Sequence, residues 1–443
     1  MPKGIRYLLD KFMMKKVIHF FTRLCEAYLP DAFVFCLVLT LIVFIAAVVV
    51  TPHSPLMLIE FWGKDFWSLH AFSMQMVFVL ITGHMLATTP LVKKILLKIS
   101  HSVKSEAQGL ILLSIFSVLG CWINWGFGLI VSGILAIEIA KKLGKVNFGL
   151  FIATAYAGFL VWHGGLSGSI PLKIAGQDEI LNRVYPTLSV PLSLTIFSNY
   201  NLLIVLLLLF VLPIVAICMR TDDKIVIPFS EDAEEEIFVS QTFRDQLENG
   251  RFFNWIFFGL FLVVFFKLKS SFDINRINLI FLSLAFFLHG TPRKFLNALQ
   301  RSIGYSSGII IQFPFYAGLM GLMQYSGLAD TISEIFVRIS TVDTLPVWTF
   351  LSGGIVNFFI PSGGGQWVVQ GPIMLKAAQN LNADPGKISM ALAWGDAWTN
   401  MIQPFWALPL LGLAKIQLKD IMGYCLIYTF VSGIIITGVL YFF

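Results

Sequence analysis

The sequence predicts an all-α polytopic membrane protein built as an inverted-topology repeat, with two re-entrant helical hairpins and two broken transmembrane helices. Three observations carry that expectation. Of 443 residues, 57% are hydrophobic and only 13% charged, with a mean hydropathy of +0.80, whereas a soluble chain carries about 25% charged residues. Apolar runs long enough to cross about 30 Å of hydrocarbon recur from end to end. Some of these runs are continuous, and others are interrupted by glycine, proline and amides. Non-helical backbone at membrane depth persists only where protein buries it or where it lines a wet cavity. This composition excludes a soluble enzyme, a nucleic-acid binder and a secreted disulfide scaffold. The five cysteines (Cys25, Cys36, Cys121, Cys218, Cys425) show no CxxC or Cys/His spacing and no metal-ligand set.

The elements follow in chain order. Residues 1–27 interleave Lys3, Arg6, Lys11, Lys15, Lys16 and Arg23 with apolar residues, the pattern of a basic amphipathic segment on the inner membrane face rather than a cleaved signal. Continuous apolar spans cover 32–51, 70–89, 200–219, 252–266, 275–289, 304–325 and 421–443. Lys and Arg set their direction: 31 against 25 Asp+Glu, a net +6, cluster at the N-terminus, at Lys93–Lys104, at Lys141–Lys145 and at Arg293–Arg301. Basic flanks on the same side of 107–142 make it a hairpin, with its tip at Asn124-Trp125-Gly126-Phe127-Gly128. Segment 148–176 then crosses as a broken helix. An acidic stretch, 220–251, is a cytoplasmic linker between a first repeat, 28–219, and a second, 252–443. The second repeat contains a hairpin at 346–382, entering from outside, and a broken helix at 388–414.

The repeat is legible in the residues. Cys121-Trp-Ile-Asn124-Trp125 answers Ile355-Val-Asn357-Phe358, Ala153…Ala155-Tyr156 answers Ala391…Ala393-Trp394, and Pro171-Leu172 answers Pro409-Leu410. The spacing is close to one offset, about 238 residues. Inverted repeats whose broken helices meet at the midplane are the signature of a secondary transporter.

Polar residues concentrate at these interruptions. In the second hairpin, Asn357-Phe-Phe-Ile-Pro361-Ser362-Gly363-Gly364-Gly365-Gln366 continues to Gln370. Three glycines permit close backbone approach, and Ser362 is placed to cap the following helix. The helix start carries about half a positive charge, which suits a carboxylate. Gln366 and Gln370, at i and i+4, offer amides on one face. Gly364→Val is expected to block this site by filling it. At the first tip, Asn124 either binds ligand or satisfies backbone freed at the turn, beside Gly126. The breaks His163-Gly164-Gly165-Leu166-Ser167-Gly168-Ser169-Ile170-Pro171 and Asp396-Ala397-Trp398-Thr399-Asn400-Met401-Ile402-Gln403-Pro404 supply Ser167, Thr399 and Asn400 oxygens.

Asp396 lies about 12 Å into its span at 1.5 Å per residue. A carboxylate there costs about 2.5–3.5 kcal/mol on insertion scales, so it either takes up a proton, holds a cation, or is a neutral acid bonded within the bundle. His163 either titrates near neutral pH or packs by hydrogen bonds. Asp396, Asn357 and His163 form the candidate ion-coupling set. No Walker loop, HExxH or Gly-x-Ser-x-Gly is present, so no catalytic residue is assigned.

Over essentially its full length the chain resembles the short-chain fatty acid transporter family. The resemblance is carried by Tyr28-Leu-Pro-Asp-Ala-Phe, Phe72-Ser-Met-Gln-Met with Thr82-Gly-His84, Trp122-Ile-Asn-Trp-Gly-Phe-Gly-Leu, Gln312-Phe-Pro-Phe-Tyr-Ala-Gly, Pro361-Ser-Gly-Gly-Gly-Gln-Trp and Gln403-Pro-Phe-Trp-Ala-Leu-Pro. A looser similarity extends to the wider ion-transporter group that includes divalent-anion/sodium symporters, from which the first tip departs in being Asn-Trp-Gly-Phe-Gly rather than a Ser-Asn-Thr type. The resemblance implies a homodimer with an elevator-like motion, placed in the bacterial inner membrane with its N-terminus cytoplasmic. It implies carriage of a small monocarboxylate of the acetoacetate or butyrate class, coupled to H⁺ or Na⁺, with no cofactor and no nucleic-acid partner. An anion channel and a di- or tricarboxylate–sodium symporter are the alternatives. The expected substrate set is Asn124, Gly126, Ser167, Ser362, Gly363, Gly364, Gly365, Gln366, Gln370, Thr399 and Asn400.

Overall fold

The computed structural model describes Phe20, Arg23 and residues 32–175, 179–185, 190–221, 225–226, 242–267, 274–361 and 363–443. The basic segment expected over 1–27 (Phe20 and Arg23 apart), most of the linker 220–251, and Ser362 lie outside the described residues.

The chain is almost wholly helical, as a polytopic membrane protein must be when lipid offers its backbone no partners. Among the described residues six helices are long and apolar enough to cross a membrane: Phe33–Val50, Glu106–Ile123, Phe148–Ala175, Asn199–Cys218, Phe243–Lys267 and Lys419–Phe442. Five of these expose large apolar side chains, the first and the fifth most heavily. Leu41, Ile45 and Val49 stand out from the first, and Trp255, Val263 and Phe266 from the fifth. Such surface needs lipid rather than water. The broken helices do the opposite. Phe148–Ala157 and the 3₁₀ turn that follows it, Gly158–Gly164, are buried throughout, and Pro385–Asn400 nearly so. The interrupted elements therefore form the centre, and the continuous ones surround them.

Both interrupted apolar regions fold back on themselves. The first hairpin pairs Glu106–Ile123 with Trp125–Leu143 around the single residue Asn124. Gly120 opposes Gly128 and Gly109 opposes Ile139, so the residue numbers converge on the tip, as antiparallel arms require. A methyl on Gly128 would overlap the backbone of Cys121, and only glycine allows this approach. The second hairpin pairs Leu345–Asn357 with Gly363–Leu381. Its arms are joined by Gln366 to Gly353, Gln370 to Ser352 and Met374 to Thr349.

The broken helices follow their hairpins in the same order. The first runs Phe148–Ala157, tightens into Gly158–Gly164, turns, and resumes at Ser169–Ala175. The second runs Pro385–Asn400, breaks at Met401–Gln403 and resumes at Pro404–Ala414, where proline suits a helix start. Each presses a glycine onto the first arm of its own hairpin: Gly158 onto Ser117, and Gly395 onto Phe350 and Gly354.

Basic clusters between the apolar spans are themselves helical. Lys93, Lys94, Lys98 and His101 lie on a helix, Pro90–Ser102, which buries Leu96 and Ser100. Arg293, Lys294 and Arg301 lie on Pro292–Ile303, capped by Thr291 and burying Ala298 and Ser302. Polar faces kept both helices out of the hydropathy pattern. The two halves also meet outside the centre, where Gln75 Nε2 donates to Asn275 Oδ1 at 2.9 Å and Asn278 Nδ2 to the Gln75 carbonyl at 3.0 Å. Within the described residues, the linker is tied down by one two-stranded pairing, Lys145–Val146 antiparallel to Ile225–Val226.

Candidate functional site

Asn124 ends one arm of the first hairpin and caps the other. Its backbone is extended (φ −155°, ψ 117°), its N–H returns to the Gly120 carbonyl, and its Oδ1 accepts from Phe127 N at 2.9 Å. A cap of this kind contributes about 1 kcal/mol. The tip rests on the first break: Trp125 N donates to Ser167 Oγ at 3.0 Å, Leu166 N to the Trp122 carbonyl at 2.7 Å, and Trp122 Nε1 to the Gly164 carbonyl at 3.0 Å. Beside it, Trp125, Phe159, Trp162 and Trp406 form an aromatic wall, with every pair of ring centroids 5.3–6.0 Å apart.

The second hairpin reaches the same break from its other end. A Cβ on Gly363 would overlap the His163 ring and lie 2.6 Å from Ser169 Oγ. His163 has no freedom to yield. Its Nδ1 bonds the Ala393 carbonyl at 2.8 Å and its Nε2 bonds Ser169 Oγ at 2.8 Å. A carbonyl only accepts, so Nδ1 carries the hydrogen. The same Nδ1 is 3.5 Å from Asp396 Oδ1. Both hairpin tips and both broken helices thus converge on residues 163–169.

A second knot of polar groups ties the second break to its hairpin. Asn357 Nδ2 reaches the Asp396 carbonyl at 2.9 Å, Thr399 Oγ1 at 2.9 Å and Asn400 Oδ1 at 2.8 Å. Thr399 Oγ1 donates to the Gly354 carbonyl at 2.8 Å, and Gln403 Nε2 to the Asn357 carbonyl at 2.7 Å. The halves interlock reciprocally. Tyr156 on the first broken helix donates to the Asn400 carbonyl at 2.5 Å. Trp394 on the second donates to Asn201 Oδ1 at 2.9 Å, and Asn201 Nδ2 donates to the Gly164 carbonyl at 2.9 Å.

These partners fix which way each amide faces, and so identify what each leaves over. Asn357, Gln403 and Gln366 engage nitrogen, leaving Asn357 Oδ1, Gln403 Oε1 and Gln366 Oε1 without a partner among the described residues. Neither Asp396 oxygen has one at hydrogen-bond geometry; Asn400, one turn on, faces it without closing a bond. Asn124 engages oxygen, leaving Nδ2 over, and Trp162 Nε1 is likewise unpartnered. Asn357, Asp396, Asn400, Gln403 and His163 are all 0% exposed, so water at the surface does not reach them. An unsatisfied buried polar group costs about 1–3 kcal/mol. The surplus at the first tip is thus of donors, whereas at the second hairpin and its break the surplus acceptors outnumber one surplus donor, Asn400 Nδ2. Donors suit an anion, and neutral oxygens with a carboxyl suit a cation.

The structure brings Asn124, Ser167, Gly363, His163, Asp396, Asn357, Thr399 and Asn400 into this connected region. Gly126 is buried in the first turn after Asn124, and Gly365 sits half-buried in the first turn after Gly363. Gln366 and Gln370 direct their amide nitrogens across the hairpin, to the Gly353 carbonyl at 2.7 Å and Ser352 Oγ at 3.0 Å. The close approach expected at Gly364 belongs to Gly363 instead; a Cβ on Gly364 meets only the end of Lys173, 3.6 Å away. From sequence, Ser169 and Gln403 stand only as members of the two breaks, and Tyr156, Asn201 and Lys173 carry no site role. Lys173 had a signal, being the only Lys or Arg in 148–176.

Known proteins similar to this chain fall into one family by sequence. A family model described as short chain fatty acid transporter matches residues 13–443. An Escherichia coli (strain K12) protein named "Putative short-chain fatty acid transporter" is 39% identical over 434 residues, covering 96% of this chain and 98% of that one. A Haemophilus influenzae protein of the same name is 38% identical over 451 residues, covering 97% and 100%. Among solved structures, the Alcanivorax borkumensis YdaH transporter aligns with a TM-score of 0.44 at 15% identity over 93% of this chain and 97% of that one. Neisseria gonorrhoeae MtrF, described with a class of antimetabolite efflux pumps, aligns with a TM-score of 0.40 at 15% identity over 95% and 97%.

Proposed function

This chain belongs to the short chain fatty acid transporter family, and from that premise we propose that it is a secondary carrier of small monocarboxylates, of the acetoacetate and butyrate class, in the bacterial inner membrane. The substrate carboxylate is held between the hairpin tips, at Asn124, Gly126 and Ser167 on one side and Ser362–Gly365 on the other, with Thr399 and Asn400 closing the floor. The aromatic wall of Trp125, Phe159, Trp162 and Trp406 receives the short alkyl tail.

The coupling cation, H⁺ or Na⁺, is held at Asp396 with Asn357 and His163. The observation that carries this reading is the uneven placing of unpartnered groups: Asn124 Nδ2 and Trp162 Nε1 at the first tip, against Asn357 Oδ1, Gln403 Oε1 and both Asp396 oxygens, with the single donor Asn400 Nδ2 among them, at the second break. One region asks for negative charge and the other for positive, as symport of an acid anion with a cation requires. A dry, low-dielectric surrounding strengthens both attractions.

The two hairpins are re-entrant from opposite faces, and the repeats are inverted about the membrane plane, with the N-terminus cytoplasmic. The matched order of hairpin, broken helix and long helix in each half supports this, as does the reciprocal pair Tyr156–Asn400 and Trp394–Asn201. Transport then moves the hairpins and broken helices as one body against the lipid-facing helices, in an elevator-like manner, within a homodimer.

Counterflow of labelled butyrate in proteoliposomes tests the reading. Saturable exchange with unlabelled acid, and accumulation driven by an imposed Na⁺ or H⁺ gradient, are expected. Single-channel currents without counterflow would instead make the protein a channel.

A further inference from the structure

The stretches 107–140, 148–176, 346–375 and 388–414 contain one basic residue other than His163, and it is Lys173. Their acids are Glu138, which is paired with Lys141 at 2.9 Å, and Asp396. Lys173 stands on Ser169–Ala175, directly after the first break, and four residues from Ser169, so the two share a helix face. That face lies on the second hairpin tip. Ser169 meets Gly363, and Lys173 Nζ and Cε stand 3.6 and 3.9 Å from the place of a Cβ on Gly364. Ile170 and Ile174, on either side, are fully buried, whereas Lys173 is exposed. Its ammonium makes no ion pair with any described residue.

We propose that Lys173 is a specificity-determining residue, whose ammonium captures the substrate carboxylate at the second hairpin tip and restricts the site to monoanions. The proposal rests on the carrier reading above and deepens it. Two glycines leave the space beside the ammonium open to a carboxylate, and the Ser169 hydroxyl lies one turn deeper, toward the break. A single fixed cation is neutralised by one carboxylate; a second carboxylate on the same substrate would find no basic partner in these stretches, and an uncompensated charge is how a site rejects the wrong ligand. Exposure suits a residue that meets the ligand before the buried groups do, because attraction at an accessible cation acts on capture.

Two readouts test the proposal in proteoliposomes holding the full chain. The first is the rate at which trinitrobenzenesulfonate modifies Lys173, followed by peptide mass spectrometry, with butyrate or its neutral isostere butyramide present. Butyrate is expected to slow modification roughly fivefold and butyramide to leave it unchanged. The second is butyrate uptake by Lys173→Gln and Lys173→Arg. Lys173→Gln is expected to raise KM about tenfold, with the maximal rate within about twofold and the ionic-strength dependence of KM lost, while Lys173→Arg stays near wild type. Modification that butyrate does not slow, or an unchanged KM in Lys173→Gln, overturns the proposal and leaves a lysine that only snorkels toward the membrane surface. Protection by butyrate in a protein without saturable uptake would instead refute the carrier reading and leave the carboxylate site standing.

Discussion

Ser167 and Ser169, two residues apart in the first break, serve different hairpins: Ser167 Oγ accepts the Trp125 N–H at 3.0 Å, and Ser169 Oγ holds His163 Nε2 at 2.8 Å where Gly363 packs. One short turn therefore sets the distance between the two tips. A change at either contact is felt by both hairpins, because His163 is pinned from its other side by the Ala393 carbonyl.

Gly363→Ala tests that contact. Its methyl would run into a ring that cannot retreat, at an overpacking cost of about 1–3 kcal/mol. Butyrate uptake is expected to fall at least about tenfold with normal expression. Gly364→Ala, facing only the flexible end of Lys173, is expected to keep the maximal uptake rate near wild type and to raise KM, since its methyl narrows the space beside the ammonium. An equal fall in maximal rate in both variants would remove the special role of Gly363.

Asn124→Asp separates capping from ligand binding. Aspartate caps as well as asparagine, so the apparent melting temperature in detergent is expected to hold. The unpartnered donor becomes an acceptor bearing negative charge, and the affinity for carboxylates is expected to drop by about 100-fold, some 2.7 kcal/mol. A melting temperature lowered by the same change, with KM intact, would mark Asn124 as structural.

Asp396→Asn keeps shape while removing the carboxylate. Uptake against a gradient is expected to collapse, at least about tenfold, whereas counterflow, which needs no net cation movement, persists. Concentrative uptake equal to wild type would show that the coupling ion binds elsewhere.

Asn357→Ala leaves the Asp396 carbonyl, Thr399 Oγ1 and Asn400 Oδ1 without the nitrogen they share. A loss of about 1–3 kcal/mol is expected, seen as a lower melting temperature. Asn357→Asp faces the same three oxygens with a fourth acceptor and is expected to be less stable than alanine. The reverse order would mean that the knot does not depend on the donor.

Much of this was legible in the chain because lipid makes hydropathy a structural constraint. Glycine, proline and amides inside an apolar run have few other uses, and the chain leaves regular helix where they cluster, at Asn124, Gly165–Gly168 and Met401–Gln403. The amphipathic helices Pro90–Ser102 and Pro292–Ile303 were hidden, because half their residues are polar and read as loop. Asn357 stood out as an amide at a hairpin, but its partners lie 39–43 residues onward, and that pairing is tertiary. Gln366 and Gln370 sit on one face, as i,i+4 residues do, yet which neighbour takes their nitrogens depends on the opposite arm. Lys173 was visible as the single cation of its span; only the fold sets it over Gly364.

The shared site between the tips is the central claim, and a cryo-electron microscopy map of the butyrate-bound protein tests it most directly. The account predicts ligand density bounded by Asn124 and Ser167 on one side and by Gly363 and Ser169 on the other, with its tail toward Trp125 and Trp162. Density seated away from both tips, or either hairpin running through to the opposite leaflet, would contradict it.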